Sequence, residues 1–166
     1  MGPSLAALIV YLAMDMRLSV SKVKQILFDI FGLKLSKGCI QNCKMEAARA
    51  LAPVEEQLVS ELLDSELIFV DETPHFEAGS FLWMWVFISA HTCVFQIGDR
   101  SREIFDNLIR EGKQIFTGWL MSDGYRVYRD NENRLRCWAH IYRKAVGLSE
   151  CYTRASRQQG RQLLNY

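Results

Sequence analysis

Leu67-Ile68-Phe69-Val70-Asp71 is a short apolar run that stops at a carboxylate. Four apolar residues in a row suit a buried strand, and the acid then falls at the rim of the sheet. Trp119-Leu120-Met121-Ser122 stops at Asp123 in the same way. Singly, each aspartate reads as a turn or cap residue. Together, on two strands of one sheet, they are two carboxylates that repel unless a cation sits between them. That pattern points to metal-dependent chemistry on a phosphate backbone, with Asp71 and Asp123 as catalytic and metal-ligating residues.

Downstream of Asp71, Thr73-Pro74 reads as a break and Glu77-Ala78-Gly79-Ser80 as a turn. Phe81–Ile88, aromatic and branched, suits a central strand, and Cys93–Ile97 a third, which completes an antiparallel meander. Ser101–Arg110 reads as a helix with Ile104, Phe105, Leu108 and Ile109 inward. Ile115–Met121 reads as a fourth strand lying beside the first, and Tyr125 and Tyr128 share a short helix. Leu135–Trp138 reads as a fifth strand and Ala139–Val146 as a helix. This order predicts an α/β fold with a ribonuclease H-like mixed sheet. Trp83, Trp85, Trp119 and Trp138 read as core residues, and Glu72, pointing away from Asp71, as structural or solvent-facing.

The first 63 residues read as helical. Ser4, Ser19 and Ser36 are candidate caps, and Gly32 is a candidate stop. Leu5, Leu8, Ile9, Leu12 and Met16 form one stripe; Val20, Val23, Leu27, Ile30 and Phe31 form a second. A third runs through Ile40, Cys43, Ala47 and Leu51 to Pro53, a break after which Val54, Leu58 and Leu62 continue it. Helix, glycine turn and helix over residues 20–50 are compatible with a helix-turn-helix as well as with a plain packing hairpin. The organisation predicted is a helical region over 1–63, a partial catalytic core over 64–150 and a basic tail over 151–166 that opens a truncated helical segment.

The net charge of +1 conceals an uneven distribution. Residues 64–133 hold twelve acids against six Lys/Arg, whereas residues 134–166 hold seven Lys/Arg against Glu150 alone. An acidic middle and a basic end fit a metal site beside a polyanion-binding surface, or a solvated basic helix. Arg143 and Lys144 are the candidate phosphate contacts. The 49% hydrophobic content excludes a disordered chain. The apolar run Leu5–Met14 is too short to span a membrane and lacks a signal-peptide pattern. Five cysteines at irregular spacing read as reduced cytoplasmic thiols. Cys137 and His140, three apart, have a third zinc-ligand candidate in Cys151 and no obvious fourth, so His140 reads as structural or DNA-facing.

Asp71-Glu72-Thr73, Leu82-Trp83-Met84-Trp85-Val86, Arg100-Ser101, Ser122-Asp123-Gly124-Tyr125 with Tyr128, and Cys137-Trp138-Ala139-His140 with Arg143, in this order, resemble the bacterial transposases of the insertion sequence 66 family. The earlier Gly2-Pro3-Ser4-Leu5, Tyr11-Leu12 and Leu35-Ser36-Lys37-Gly38 resemble the stretch that precedes the catalytic domain there. The resemblance implies a ribonuclease H-like core with an Asp-Asp-Glu triad, Mg2+ or Mn2+ as cofactor, and cleavage and transfer of double-stranded DNA at transposon ends. It also implies a homo-oligomer located in the bacterial cytoplasm, at the nucleoid. Asp71 and Asp123 match the first two acids. The third, a glutamate in an Asn-Asn-rich helix, has no counterpart here, and Glu150 matches nothing in the pattern. The expectation is therefore a chain truncated at both ends and inactive alone. The alternative is a non-enzymatic DNA-binding protein working through the N-terminal helices.

Overall fold

The computed structural model describes residues 2–111 and 114–165. The chain forms two compact units, residues 1–56 and 57–166.

The first unit holds helices α1 (Pro3–Met14), α2 (Val20–Phe31) and the first part of α3 (Lys37–Leu63). Ile9, Val23, Leu27, Ile40 and Cys43 form its core. Burial raises the pKa of the Cys43 thiol. Ser19 caps α2 by accepting from the Lys22 N–H at 3.3 Å, and Ser36 accepts from the Cys39 N–H at 3.1 Å. Gly32 stops α2 at φ 66°, where a side chain would be strained. Three expectations are corrected. The cap of α1 is Gly2, with Pro3 in the first turn, rather than Ser4. Helix α3 runs unbroken through Pro53, because one lost backbone bond does not end a 27-residue helix. Ile30, Phe31, Leu51, Val54 and Leu58 are exposed, since each stripe is wider than the core it meets.

The second unit is built on a five-stranded mixed sheet of order β3-β2-β1-β6-β7. Its strands are β1 (Leu67–Glu77), β2 (Ser80–Ile88), β3 (Cys93–Gly98), β6 (Trp119–Ser122) and β7 (Arg134–Arg136). Strands β1 to β3 form the antiparallel meander, and β6 lies parallel between β1 and β7. Helices α4 (Arg102–Ile109), α5 (Trp138–Ser149) and α6 (Arg154–Leu164) complete the unit, with a single helical turn at Arg126–Tyr128. The α/β class and the placement of a later strand beside the first agree with the sequence reading.

Strand alternation sorts β1 into two faces. Ile68, Val70 and Glu72 face the core with Trp85 and Phe87 of β2. Phe69 and Asp71 occupy the other face. On the core side, Phe105 of α4 stacks on Phe87 (centroids 6.3 Å apart) and meets Tyr128 edge-on at 5.2 Å. Such aromatic pairs each add about 0.5–1.5 kcal/mol beyond burial.

Strand β1 does not stop at Asp71. It continues through Thr73-Pro74 to Glu77, paired with β2 throughout. Its ladder with β6 ends at Phe69, so Pro74 lies where β1 has become an edge strand, and proline is tolerated at edges. The two-residue turn Ala78-Gly79, with φ of 48° and 82°, then closes the hairpin at the expected place. The expected strand 115–121 is divided: Arg110–Glu111 (β4) pairs with Gln114–Ile115 (β5), and β6 starts at Trp119. Gly118 is pressed against the Glu66 and Ser65 carbonyls, so the chain crosses beside the start of β1 before β6 begins. The fifth strand is shifted to Arg134–Arg136, and Trp138 opens α5. Trp138 is 76% exposed and Trp119 49%, so neither is a core residue; Trp85 is fully buried.

Candidate active site

The parallel ladder between β1 and β6 pairs Leu67 with Trp119, Ile68 with Leu120 and Phe69 with Met121. Asp71 and Asp123 each lie two residues beyond the last of these pairs, on strands that run about 4.8 Å apart. Both line a pocket of about 140 Å³ with Phe69, Val70, Val86, Ile88, Met121, Cys137 and His140. The structure thus brings together the two acids that the sequence singled out. Asp123 follows a strand end as expected, whereas Asp71 sits within a strand.

Asp71 is about half exposed, and its Oδ1 accepts from the Glu72 N–H at 3.1 Å. Its Oδ2 lies 3.8 Å from His140 Nε2, beyond hydrogen-bond length. His140 Nδ1 is buried with no hydrogen-bond partner among the described residues. Asp123 begins an Asx-type turn in which its Oδ1 accepts from the Tyr125 N–H at 2.6 Å. Its carbonyl accepts from Arg134 Nη2 at 2.9 Å, and the Ser122 carbonyl accepts from the Cys137 N–H at 2.9 Å. These bonds tie β6, β7 and the start of α5 to one rim. Burial, together with Arg136 and Arg129, lowers the pKa of Arg134.

A Cβ added to Gly124 would meet Arg136 Nη2 at 2.8 Å and Lys144 Nζ at 3.0 Å. Lys144 therefore borders the Asp123 turn. Arg143, next along α5, is exposed and has no ion-pair partner among the described residues. Arg136 is the basic neighbour that the sequence reading passed over; it ends β7, paired with Ser122.

Glu72, read from the sequence as structural or solvent-facing, is structural. Its side chain is 1% exposed, it is ion-paired with Arg100 at 2.6 Å, and it accepts from the Tyr128 O–H at 2.5 Å. It points away from Asp71 as expected, but into the core rather than to solvent. The signal was available in the alternation, which places Glu72 on the face of Val70, where a carboxylate needs partners. Burial and the Glu72 carboxylate both push the Tyr128 pKa far up. For Arg100, burial works against the charged form, but the hydrogen bond and charge of Glu72, with Tyr125 and Asp123, together outweigh it and raise the pKa.

A magnesium-type cation is commonly held by one or two carboxylates and otherwise by water and substrate phosphate. Two aspartates on one pocket fit that minimal donor set. Among the described residues no group of three His, Cys, Asp or Glu side chains closes on a point, so Cys137, His140 and Cys151 do not assemble a zinc site. A larger cavity of about 710 Å³ at the start of β1 is lined, among the described residues, by Glu61, Asp64 and Glu66 without a Lys or Arg, a lining that does not suit a polyanion. Among the described residues no helix is long and apolar enough to cross a membrane.

A search of curated proteins found no match. The model of the family described as "Transposase IS66 family" matches residues 1–165. That match spans nearly the whole chain, and the chain belongs to the IS66 transposase family.

Proposed function

We propose that residues 64–150 are a ribonuclease H-like core that engages double-stranded DNA at transposon ends through a divalent cation, Mg2+ or Mn2+, held by Asp71 and Asp123. The observation that carries this reading is the β1–β6 ladder, from which both acids project into one pocket. The strand order, three antiparallel strands followed by two parallel ones, supports the fold assignment. A bound cation would polarise a phosphate oxygen and lower the pKa of a bound water. Asp71 and Asp123 hold it, the Tyr125 N–H orients the Asp123 carboxylate, and Lys144, Arg143 and the basic segment 151–166 take DNA phosphates. Assembly as a homo-oligomer belongs to the same proposal.

Among the described residues the pocket receives two carboxylates. Glu150, the one acid after Glu132, caps the end of α5, and no contact brings it to either aspartate among the described residues. Strand cleavage by the 166-residue polypeptide alone is therefore expected to be absent, while cation and DNA binding remain. Mn2+ titration followed by electron paramagnetic resonance, with nicking assays on transposon-end DNA, tests this. Uptake of Mn2+ that is lost in Asp71→Asn, without nicking, is the expected result. Nicking that survives Asp71→Asn would remove the assignment.

A second reading places DNA recognition in residues 1–63, because α2 and α3 are joined by a short turn and packed on α1 as a three-helix cluster. Lys34→Glu with Lys37→Glu would then weaken DNA binding more than Arg143→Glu with Lys144→Glu.

A further inference from the structure

We propose that Glu72 and Arg100, together with Tyr125, are positioning residues that fix Asp123 relative to Asp71. This rests on the reading of the two aspartates as the reacting acids. Glu72 is joined covalently to Asp71 but lies on the opposite face of β1, so whatever holds Glu72 also fixes the strand at Asp71.

Arg100, just after β3, donates from Nε and Nη2 to Glu72 Oε1 at 3.1 and 2.6 Å. Tyr128 donates to Oε2, so both carboxylate oxygens are engaged in a side chain that water barely reaches. The guanidinium lies between the rings of Trp83 and Tyr125, 4.2 Å from each centroid. The Tyr125 O–H donates to the Arg100 carbonyl at 2.9 Å, and the Tyr125 N–H donates to Asp123 Oδ1 at 2.6 Å. A continuous path therefore runs from Asp71 through Glu72, Arg100 and Tyr125 to Asp123. It joins three segments that no ladder joins directly at this level: β1, the turn after β3, and the turn after β6.

Only the Glu72 side of this pair is buried, and a carboxylate taken out of water is a poor source of stability compared with an apolar replacement. The value of the pair lies in direction, because a guanidinium that is forked to one carboxylate and flanked by two rings has a single orientation. Here that orientation is passed to the residue whose backbone N–H holds a reacting acid.

The test uses the full chain with Arg100→Lys, which keeps charge but loses the fork and the stacking, and Tyr125→Phe, which loses only the O–H. Amide hydrogen exchange and Mn2+ affinity are measured for each. The expected result is exchange about tenfold faster at residues 123–128, with α5 unchanged. Mn2+ affinity should fall about tenfold or more. Unchanged exchange at 123–128, or acceleration spread evenly over the sheet, overturns the proposal. If Arg100→Lys fails to fold, Tyr125→Phe decides the matter. If the unaltered chain takes up no Mn2+, the metal reading fails, and the exchange data still decide whether this path holds the turn.

Discussion

Asp71 and Asp123 each follow, by two residues, the same registered pair of a parallel ladder, Phe69 and Met121. Two like charges at one rim repel unless a cation screens them. In metal-free buffer, Asp71→Asn should leave stability equal or slightly higher, within about 0.5 kcal/mol. Mn2+ at a hundredfold excess over its dissociation constant should stabilise the unaltered chain by about 2.7 kcal/mol and the variant far less. Thermal melts with and without Mn2+ check this; equal stabilisation of both chains would separate Asp71 from cation binding.

Tyr128 should make the fold sensitive to alkali. Burial and Glu72 raise its pKa in the folded chain, so the unfolded chain releases the proton first. The stabilisation is complete below about pH 10, the unfolded value, and declines above it by about 1.4 kcal/mol per pH unit. Of the six tyrosines, Tyr128 should ionise only on unfolding, read as ultraviolet absorbance against pH. Tyr128→Phe should remove its part of the slope.

Two glycines should respond oppositely to the same substitution. A Cβ on Gly160 would collide with Ser149 N and meet the Ala145 carbonyl at 2.7 Å, both backbone of α5. Gly160→Ala should force α6 off α5 and cost about 1–3 kcal/mol. Gly147, inside α5, has nothing within 4 Å of its added Cβ, and Gly147→Ala should stabilise by about 0.5–1 kcal/mol. Denaturant melts distinguish the two.

DNA affinity should carry the signature of phosphate contacts. Arg143→Ala and Lys144→Ala should each flatten the slope of log affinity against log salt by about one. Fluorescence anisotropy across a salt series measures it, and an unchanged slope would take that residue off the DNA.

The central ordering of strands was legible because apolar runs and turn residues alternate clearly after Leu67. The acids were legible because each closes such a run. Pro74 misled, since a proline break is a rule for paired interiors and β1 is an edge strand by that point. The β4–β5 pair was hidden because two-residue strands carry no periodicity. The Glu72–Arg100 pair spans 28 positions, and nothing local announces a contact of that range. Trp119 and Trp138 show the converse: size and hydrophobicity suggested burial, but Trp119 opens β6 and Trp138 opens α5, and both stay exposed there.

The continuation of β1 past Asp71 makes the two acids unequal partners. Asp71 is clasped between the registered pairs Val70–Phe87 and Glu72–Trp85, so displacing it means unzipping the hairpin. Asp123 stands beyond its strand on a turn that a few hydrogen bonds hold. One acid is set by a strand ladder and the other by side chains, so a break in the Arg100–Tyr125 path unseats Asp123 and leaves Asp71 in place.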